Sequence, residues 1–370
     1  MNQSFSVRRL LIPLVPLYRL ALTLRELRLR CGLEPVRRLR FPVVSVGNLS
    51  IGGSGKTPLT IVLAKALAGR GLRVDVLSRG YGRKSKLASR VNPDGTVEEF
   101  GDEPLLIARE TGLPVYVAPQ RYDAGLLAEA DVRANAPCPV ILSDPECSEG
   151  ESKDLLLAFW RKGGKRQTTT ADDENHPPIV HLLDDGFQHR QLARNVDILL
   201  LDSRGWQDWL LPAGNLREPL SAIRRAGVIA IPANEPELEA ELRIWGWQGP
   251  VWRLRRSMEI PTVSGPVAAF CGIARPEQFF AGLEAAGLRL VSRTVFSDHH
   301  RYTARDLDRI TIAARAAGAT AIITTEKDLV RLGKLASFFP ASLPLKTARL
   351  RIEIEDQQAA IDWLVSRLAS

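Results

Sequence analysis

The chain has 370 residues, 45% of them hydrophobic and 25% charged, with a formal net charge of +8. That length suits two domains with full cores, and that composition excludes a disordered or fibrous chain. The positive excess points to nucleic acid, anionic lipid or phosphorylated molecules, but sparse aromatics and the lack of a zinc-finger or ribonucleoprotein signature set nucleic acid aside.

Residues 6–30, "SVRRLLIPLVPLYRLALTLRELRLR", begin basic and turn apolar. The apolar run Leu10 to Tyr18 stops at Arg19, too short for the roughly 20 residues a bilayer crossing needs. The basic start is that of a signal peptide, yet no small-residue cleavage site follows and a helical pattern continues. Leu14, Leu17, Ala21 and Leu24 share one face, opposite Arg19, Glu26 and Arg30, with Arg25 and Arg28 nearer the apolar stripe. Such a helix suits a membrane interface; packing on its own domain is the alternative.

"FPVVSVGN" (41–48) then predicts a strand, followed by a glycine loop and a helix over 56–68. Gly52, Gly53 and Gly55 leave room for backbone N–H groups to face an anion at a helix start. Lys56 reaches β- and γ-phosphates, and the Thr57 hydroxyl reaches Mg²⁺. Ser50, Ile51 and Ser54 complete the loop, with Ser50 where the common phosphate-loop spacing has glycine.

Further strands are expected at "LRVDVLSRG", "LPVYVA", "CPVILSD", "IVHLLDDG", "NVDILLLDS" and "AGVIAIP", with helices at 102–112 and 121–130. This alternation predicts a mostly parallel α/β sheet flanked by helices, of the P-loop NTPase kind. The polar stretch 145–178 reads as an insertion. A second, smaller α/β unit is expected over 265–370, after a boundary within 248–264. The domains are then 1–35, 36–250 and 265–370.

Magnesium in such a site needs an acidic residue at a neighbouring strand end. Asp144, the pair Asp184-Asp185 and Asp202 all qualify. The 184–189 stretch also carries Gln188 and His189. The cysteines Cys31, Cys138, Cys147 and Cys271 show no Cys-x-x-Cys pair, which argues against a disulfide framework or structural zinc and suits a reducing cytoplasm.

"VGNLSIGGSGKTP", "LSRGYGR", "GDEP", "LDDGFQHR", "LPAGNLREP", "FCGIARPEQFF", "FSDHHRYT" and "TTEKD" occur in that order between about residues 8 and 335. Together they resemble the tetraacyldisaccharide 4'-kinase family, membrane-associated lipid A kinases of Gram-negative bacteria. In that family the loop reads G-N-x-x-x-G-G-x-G-K-T-P, so Ser50 is ordinary. The resemblance implies Mg²⁺-dependent transfer of the ATP γ-phosphate to the 4'-hydroxyl of a tetraacyldisaccharide 1-phosphate. It places the enzyme peripherally on the cytoplasmic leaflet of the inner membrane. It also implies a catalytic pair matching Asp102 in "GDEP" and His299 in "FSDHHRYT", with His300 the nearer rival. Pro104 favours a first helical position, which makes Glu103 the expected helix cap and leaves Asp102 outside. Because the pair spans both units, the site is expected in the cleft between them, gated by domain closure.

Arg79, Tyr81, Asn215, Arg217 and Glu218, with Gln188 and His189, are the expected substrate or metal side of the cleft. Glu326, Lys327 and Asp328 serve the nucleotide or cap a helix. The segment between "VILSD" and "IVHLLDDG" departs from the family pattern, which leaves sheet order and the magnesium ligands open. The rival reading is a P-loop NTPase switch, such as a metallochaperone-like GTPase, for which "TEKD" has a partial likeness to a guanine-reading motif.

Overall fold

The computed structural model describes residues 8–52, 55–134 and 177–369. Gly53, Ser54, Cys138, Asp144, Cys147, the expected strand 138–144 and almost all of the polar stretch 145–178 lie outside the described residues.

The helices are α1 (Val15–Arg30), α2 (Lys56–Gly69), α3 (Val97–Phe100), α4 (Asp102–Thr111), α5 (Arg121–Ala134), α6 (Ser203–Trp206), α7 (Pro236–Ile244), α8 (Pro276–Ala285), α9 (Ala304–Ala316), α10 (Glu326–Leu332) and α11 (Gln357–Ala369). The strands are β1 (Val43–Asn48), β2 (Arg73–Ser78), β3 (Ser89–Arg90), β4 (Val115–Val117), β5 (Ile179–Asp184), β6 (Val196–Leu200), β7 (Val228–Pro232), β8 (Val251–Glu259), β9 (Val267–Cys271), β10 (Leu290–Val295), β11 (Ala321–Thr325) and β12 (Leu345–Ile354). They form one 12-stranded sheet in the order β10-β9-β11-β12-β8-β7-β6-β1-β5-β2-β4-β3.

The strands from β8 across to β4 run parallel to one another, with β3 added antiparallel at the edge, and β10, β9, β11 and β12 are parallel among themselves. The two sets meet at the antiparallel pair β8–β12. The first residues of β8, Val251–Leu254, pair with β7, and Leu254–Glu259 pair with β12. The first residues of β12 pair likewise with β11, and Arg349–Ile354 pair with β8. This offset points the carboxyl ends of the two strand sets at each other. Ligand sites in parallel α/β sheets lie at carboxyl ends, so the offset builds a cleft with such a rim on both sides.

Two features bear on the expected domain division. The boundary 248–264 is largely β8, because its apolar Trp252 and Leu254 are buried in the first unit's core. Residues 265–370 do not pack as one body either. Ile352 and Ile354 of β12, with Ala360, Ile361, Leu364, Val365 and Leu368 of α11, share a core with Leu59, Leu63 and Leu67 of α2. Asp362 also pairs with Arg70 at 2.6 Å.

The alternative expected for the N-terminal helix, packing on its own domain, describes one of its faces. Val15, Tyr18 and Leu22 of α1 pack on the core under β6 and β7. The predicted apolar stripe faces outward, with Leu17 66% and Leu24 52% exposed and Leu14 and Ala21 exposed as well. Among the described residues no helix is long and apolar enough to cross a membrane.

Candidate active site

The cleft has a volume of about 1710 Å³ and is lined from both strand sets. Its floor is the loop after β1. Gly55 sits at φ 90° just before α2, a conformation that costs glycine nothing. Ile51 is held by its N–H donating to the Asn215 carbonyl at 2.8 Å. Ser50 forms an isolated antiparallel bridge with Leu216.

Lys56 projects from the first turn of α2. Its Nζ lies 3.1 Å from Asn48 Oδ1 and 3.3 Å from Asp185 Oδ1. Arg217 closes the group, donating through Nη2 to Asp185 Oδ1 at 3.1 Å and to Asn48 Oδ1 at 2.6 Å. Gln188 Nε2 donates to the Asn48 carbonyl at 2.7 Å. Gly47 seats this loop on β1, since a Cβ there would lie 2.5 Å from Phe187 Cβ. Asp185 holds φ 49°, outside the regions most side chains adopt.

The electrostatics of Asp184 and Asp185 diverge. Burial opposes ionisation of Asp185, but Lys56 and Arg217 hold its carboxyl well below the usual range. Asp184 is pushed well above that range, first by burial and then by the negative charges of Glu103 and Asp185. Among the described residues its Oδ1 accepts from the neutral Thr60 hydroxyl at 3.2 Å, and the charges of Lys56 and Lys327 offset its burial only in part. Asp184, Asp185 and the buried Thr57 offer hard oxygen donors, which fit Mg²⁺. Among the described residues no group of three or more His, Cys, Asp or Glu forms a metal cage. A magnesium ion that travels with nucleotide needs none, because phosphates and waters fill its other positions. The unpartnered buried Asn48 Nδ2, and Lys56 at the mouth of the glycine loop, fit a triphosphate above them.

Across the cleft, His299 Nδ1 lies 3.0 Å from Asp102 Oδ2. Asp102 is 3% exposed. The helix α4 begins at Asp102, not after it: Gly101, at φ 88°, is the cap, and Pro104 is tolerated later in the first turn. The expected Glu103 cap is thus corrected, and the Glu103 N–H donates to Asp102 Oδ1 at 3.0 Å. A Cβ on Gly101 would come within 3.0 Å of the Tyr81 carbonyl, so the 80–81 turn rides directly on the start of α4. This puts the Tyr81 ring 5.4 Å from the His299 ring. His299, like Asp185, has a positive φ, of 58°. Although burial resists it, the His299 bond and the charges of Arg331 and Lys327 keep Asp102 well below the usual carboxylate range. The bond to Asp102 raises His299 above its ordinary value against the opposing effect of burial. His300 is engaged elsewhere, bonding Asp306 at 3.2 Å and stacking on Phe296.

Arg79, Tyr81, Gln188, His189 and Arg217 line the cleft as expected. His189 is pushed down to about 4, by burial and then by Arg121, Arg194, Arg25 and Arg79, so it is neutral near pH 7. Two expected residues do not reach the cleft. The Asn215 side chain is bound by Arg8 at 2.6 Å and by Asp208 at 2.9 Å. Glu218 is drawn to Arg225 at 2.6 Å. Asp202 caps α6 and pairs with Arg275, so it is not the acid beside Lys56.

In "TEKD", Lys327 bonds Glu103 at 2.8 Å. Asp328 is fully buried and accepts from Gly272 N–H, Tyr302 and Thr325. It is closed to a guanine edge, which removes the support for the GTPase reading.

Four residues joined the site that sequence reasoning had not assigned: Asn48, Glu103, Arg121 and Arg331. Arg121 donates to the carbonyls of Asp184 and Asp185, at 3.2 and 2.8 Å. A signal existed for it, because arginine in the first turn of a helix opposes the helix dipole. The N-terminal helix also grips the site loops. Tyr18 donates to the Arg217 carbonyl at 2.9 Å, Arg25 to the Gln188 carbonyl at 2.8 Å, and Glu26 pairs with Arg190.

The family model described as tetraacyldisaccharide-1-P 4'-kinase matches residues 7–147 and 155–369. A tetraacyldisaccharide 4'-kinase of Koribacter versatilis is 37% identical over 364 residues, covering 95% of this chain and 97% of the relative. One from Polaromonas naphthalenivorans is 34% identical, covering 98% and 92%. A crystal structure of an "apo" form of LpxK from Aquifex aeolicus in complex with ATP superposes with a TM-score of 0.68. It is 29% identical and covers 98% of this chain and all of that one.

Proposed function

The chain belongs to the tetraacyldisaccharide-1-P 4'-kinase family, and from that premise we propose which residues carry its reaction and where it works. The enzyme is an ATP-dependent kinase that uses Mg²⁺ and phosphorylates the 4'-hydroxyl of a tetraacyldisaccharide 1-phosphate, a lipid A precursor. Thr57 and the Asp184-Asp185 pair would hold Mg²⁺, which when bound would supply charge neutralisation for the phosphates.

The observation that carries the assignment is the Asp102–His299 bond, facing the glycine loop across the cleft. Asp102 Oδ1 is used by the Glu103 N–H and Oδ2 by His299. With Nδ1 donating to Asp102, His299 Nε2 is left bare to take the proton of the acceptor hydroxyl. Asp102 fixes that tautomer and stabilises the imidazolium that forms. Lys56 leaves Asp185 for the phosphates, and Arg217 keeps Asp185 ionised meanwhile. Arg79, Tyr81, Gln188 and His189 contact the substrate around this centre.

The outward leucines of α1, interspersed with Arg19, Arg28 and Arg30, favour a helix lying in the headgroup region of an anionic leaflet. That leaflet is the cytoplasmic side of the inner membrane, where both ATP and the precursor are at hand. Because α1 holds the 185–190 and 215–217 loops, the lipid's sugar meets the cleft directly.

The test is transfer of labelled phosphate from ATP to tetraacyldisaccharide 1-phosphate in detergent. Steady ATP hydrolysis with no lipid product would overturn the reading. For the membrane, Leu17→Glu combined with Leu24→Glu is expected to abolish co-sedimentation with anionic vesicles. Because both side chains are exposed, Tm should hold. Undiminished vesicle binding by the double variant would remove the anchor.

A further inference from the structure

We propose that Arg331 is a positioning residue of the phosphoryl-transfer pair, a fixed fork that holds Asp102 and His299 in register across the junction of the two strand sets. The proposal rests on the Asp102–His299 assignment above.

The side chain of Arg331 is only 3% exposed. One end is anchored: Nη1 donates to the Gly272 carbonyl and to Asp328 Oδ1, the latter at 3.2 Å. Asp328 is itself pinned by the Gly272 N–H at 3.1 Å, Tyr302 at 2.9 Å and Thr325 at 2.6 Å. The guanidinium plane is therefore set before it meets the other unit. Its free edge then delivers Nε to Asp102 Oδ2 at 2.7 Å and Nη2 to the same oxygen at 2.6 Å. The same Nη2 is 3.3 Å from His299 Nδ1.

A guanidinium only donates. Its 3.3 Å approach to Nδ1 is therefore no hydrogen bond while that nitrogen donates to Asp102; what the fork fixes is Oδ2, the acceptor at which the Nδ1 proton is directed. Only a planar fork makes these contacts at once; lysine supplies the charge through a single nitrogen. The charged groups around Asp102 are His299 and Asp298 on the loop after β10, Lys327, Asp328 and Arg331 on α10, and Glu103 on α4. Of these, Arg331 is the cation in direct contact with the carboxylate.

The sign of the pH effect follows. Without Arg331, both Asp102 and His299 hold a proton to higher pH, since the positive charge disfavours it on each. The acidic limb of the kcat profile then moves up.

The experiment compares Arg331→Gln, Arg331→Lys and Asp102→Asn with wild type, with circular dichroism and thermal melting on each. For Arg331→Gln, kcat is expected to fall about 10- to 100-fold, with KM for ATP and lipid within about 3-fold. Its acidic limb should rise by about one to three pH units. Arg331→Lys should fall between Arg331→Gln and wild type. Wild-type kcat and pH profile in both Arg331 variants, beside a crippled Asp102→Asn, overturn this inference alone. An unimpaired Asp102→Asn overturns the pair assignment and the inference with it. If neither Arg331 variant folds, Arg331 holds the fold instead of the pair, and the proposal falls.

Discussion

Asp102→Asn is expected to lower kcat by about 100- to 10,000-fold, the range a positioned general base supplies, while leaving KM for ATP nearly unchanged. The amide keeps the shape but loses the charge. It also presents an N–H as readily as an oxygen to His299, which favours the tautomer with Nε2 protonated. The loss corresponds to about 2.7 to 5.4 kcal/mol of transition-state stabilisation. Its pH signature runs opposite to that of the Arg331 variants. Because the bond to Asp102 is the main cause of the raised His299, removing it lets the imidazole shed its proton at lower pH. The acidic limb of the residual activity should therefore shift down. A kcat within a few-fold of wild type would discard the assignment.

Lys56→Met should cost a comparable amount by a different route. The lysine is proposed to meet the β- and γ-phosphates, and removal of one preorganised charge donor typically costs about 100- to 1,000-fold in kcat. The fold should survive, because Asp185 retains its two-point contact with Arg217. Calorimetric titration with ATP and Mg²⁺, beside steady-state kinetics, separates binding from chemistry. Unchanged rates and affinity would mean that the glycine loop is not a phosphate cradle.

Most of the sheet was legible because its signals are local. The run 43–48 carries three valines, the glycines and Lys56-Thr57 mark a helix start, and Thr303 with Asp306 forms a capping box on α9. The strand β12 was not recognised, although Arg349 to Ile354 alternate charged and apolar residues; its partner is β8, far back in the chain. The choice among strand-end acids was not local either. Both β5 and β6 flank β1, so adjacency alone could not decide between Asp184-Asp185 and Asp202. Their side-chain partners differ: Lys56 and Thr60 for the first, Gly205 and Arg275 for the second, which is why the first is the one proposed.

Asp102 and His299 were accessible only through motif resemblance, and Arg331 was invisible. Its contact with Asp102 joins residues 229 apart in sequence, and no periodicity encodes a pairing of that range. Asn215 and Glu218 misled because they sit within the same short motif as Arg217, yet their side chains point toward other partners.

The return of α11 to the first unit has a consequence for synthesis. The ribosome releases the glycine loop and its helix early, but Leu59, Leu63 and Leu67 share their core with Ile361, Leu364 and Leu368. The nucleotide-binding half therefore cannot close its core until α11 has emerged. Its folding is governed by contacts of long sequence separation, which are slow to form. Until then the nascent chain carries open apolar surface, of the kind chaperones engage. Loss of only the C-terminal helix would accordingly damage the half of the protein made first.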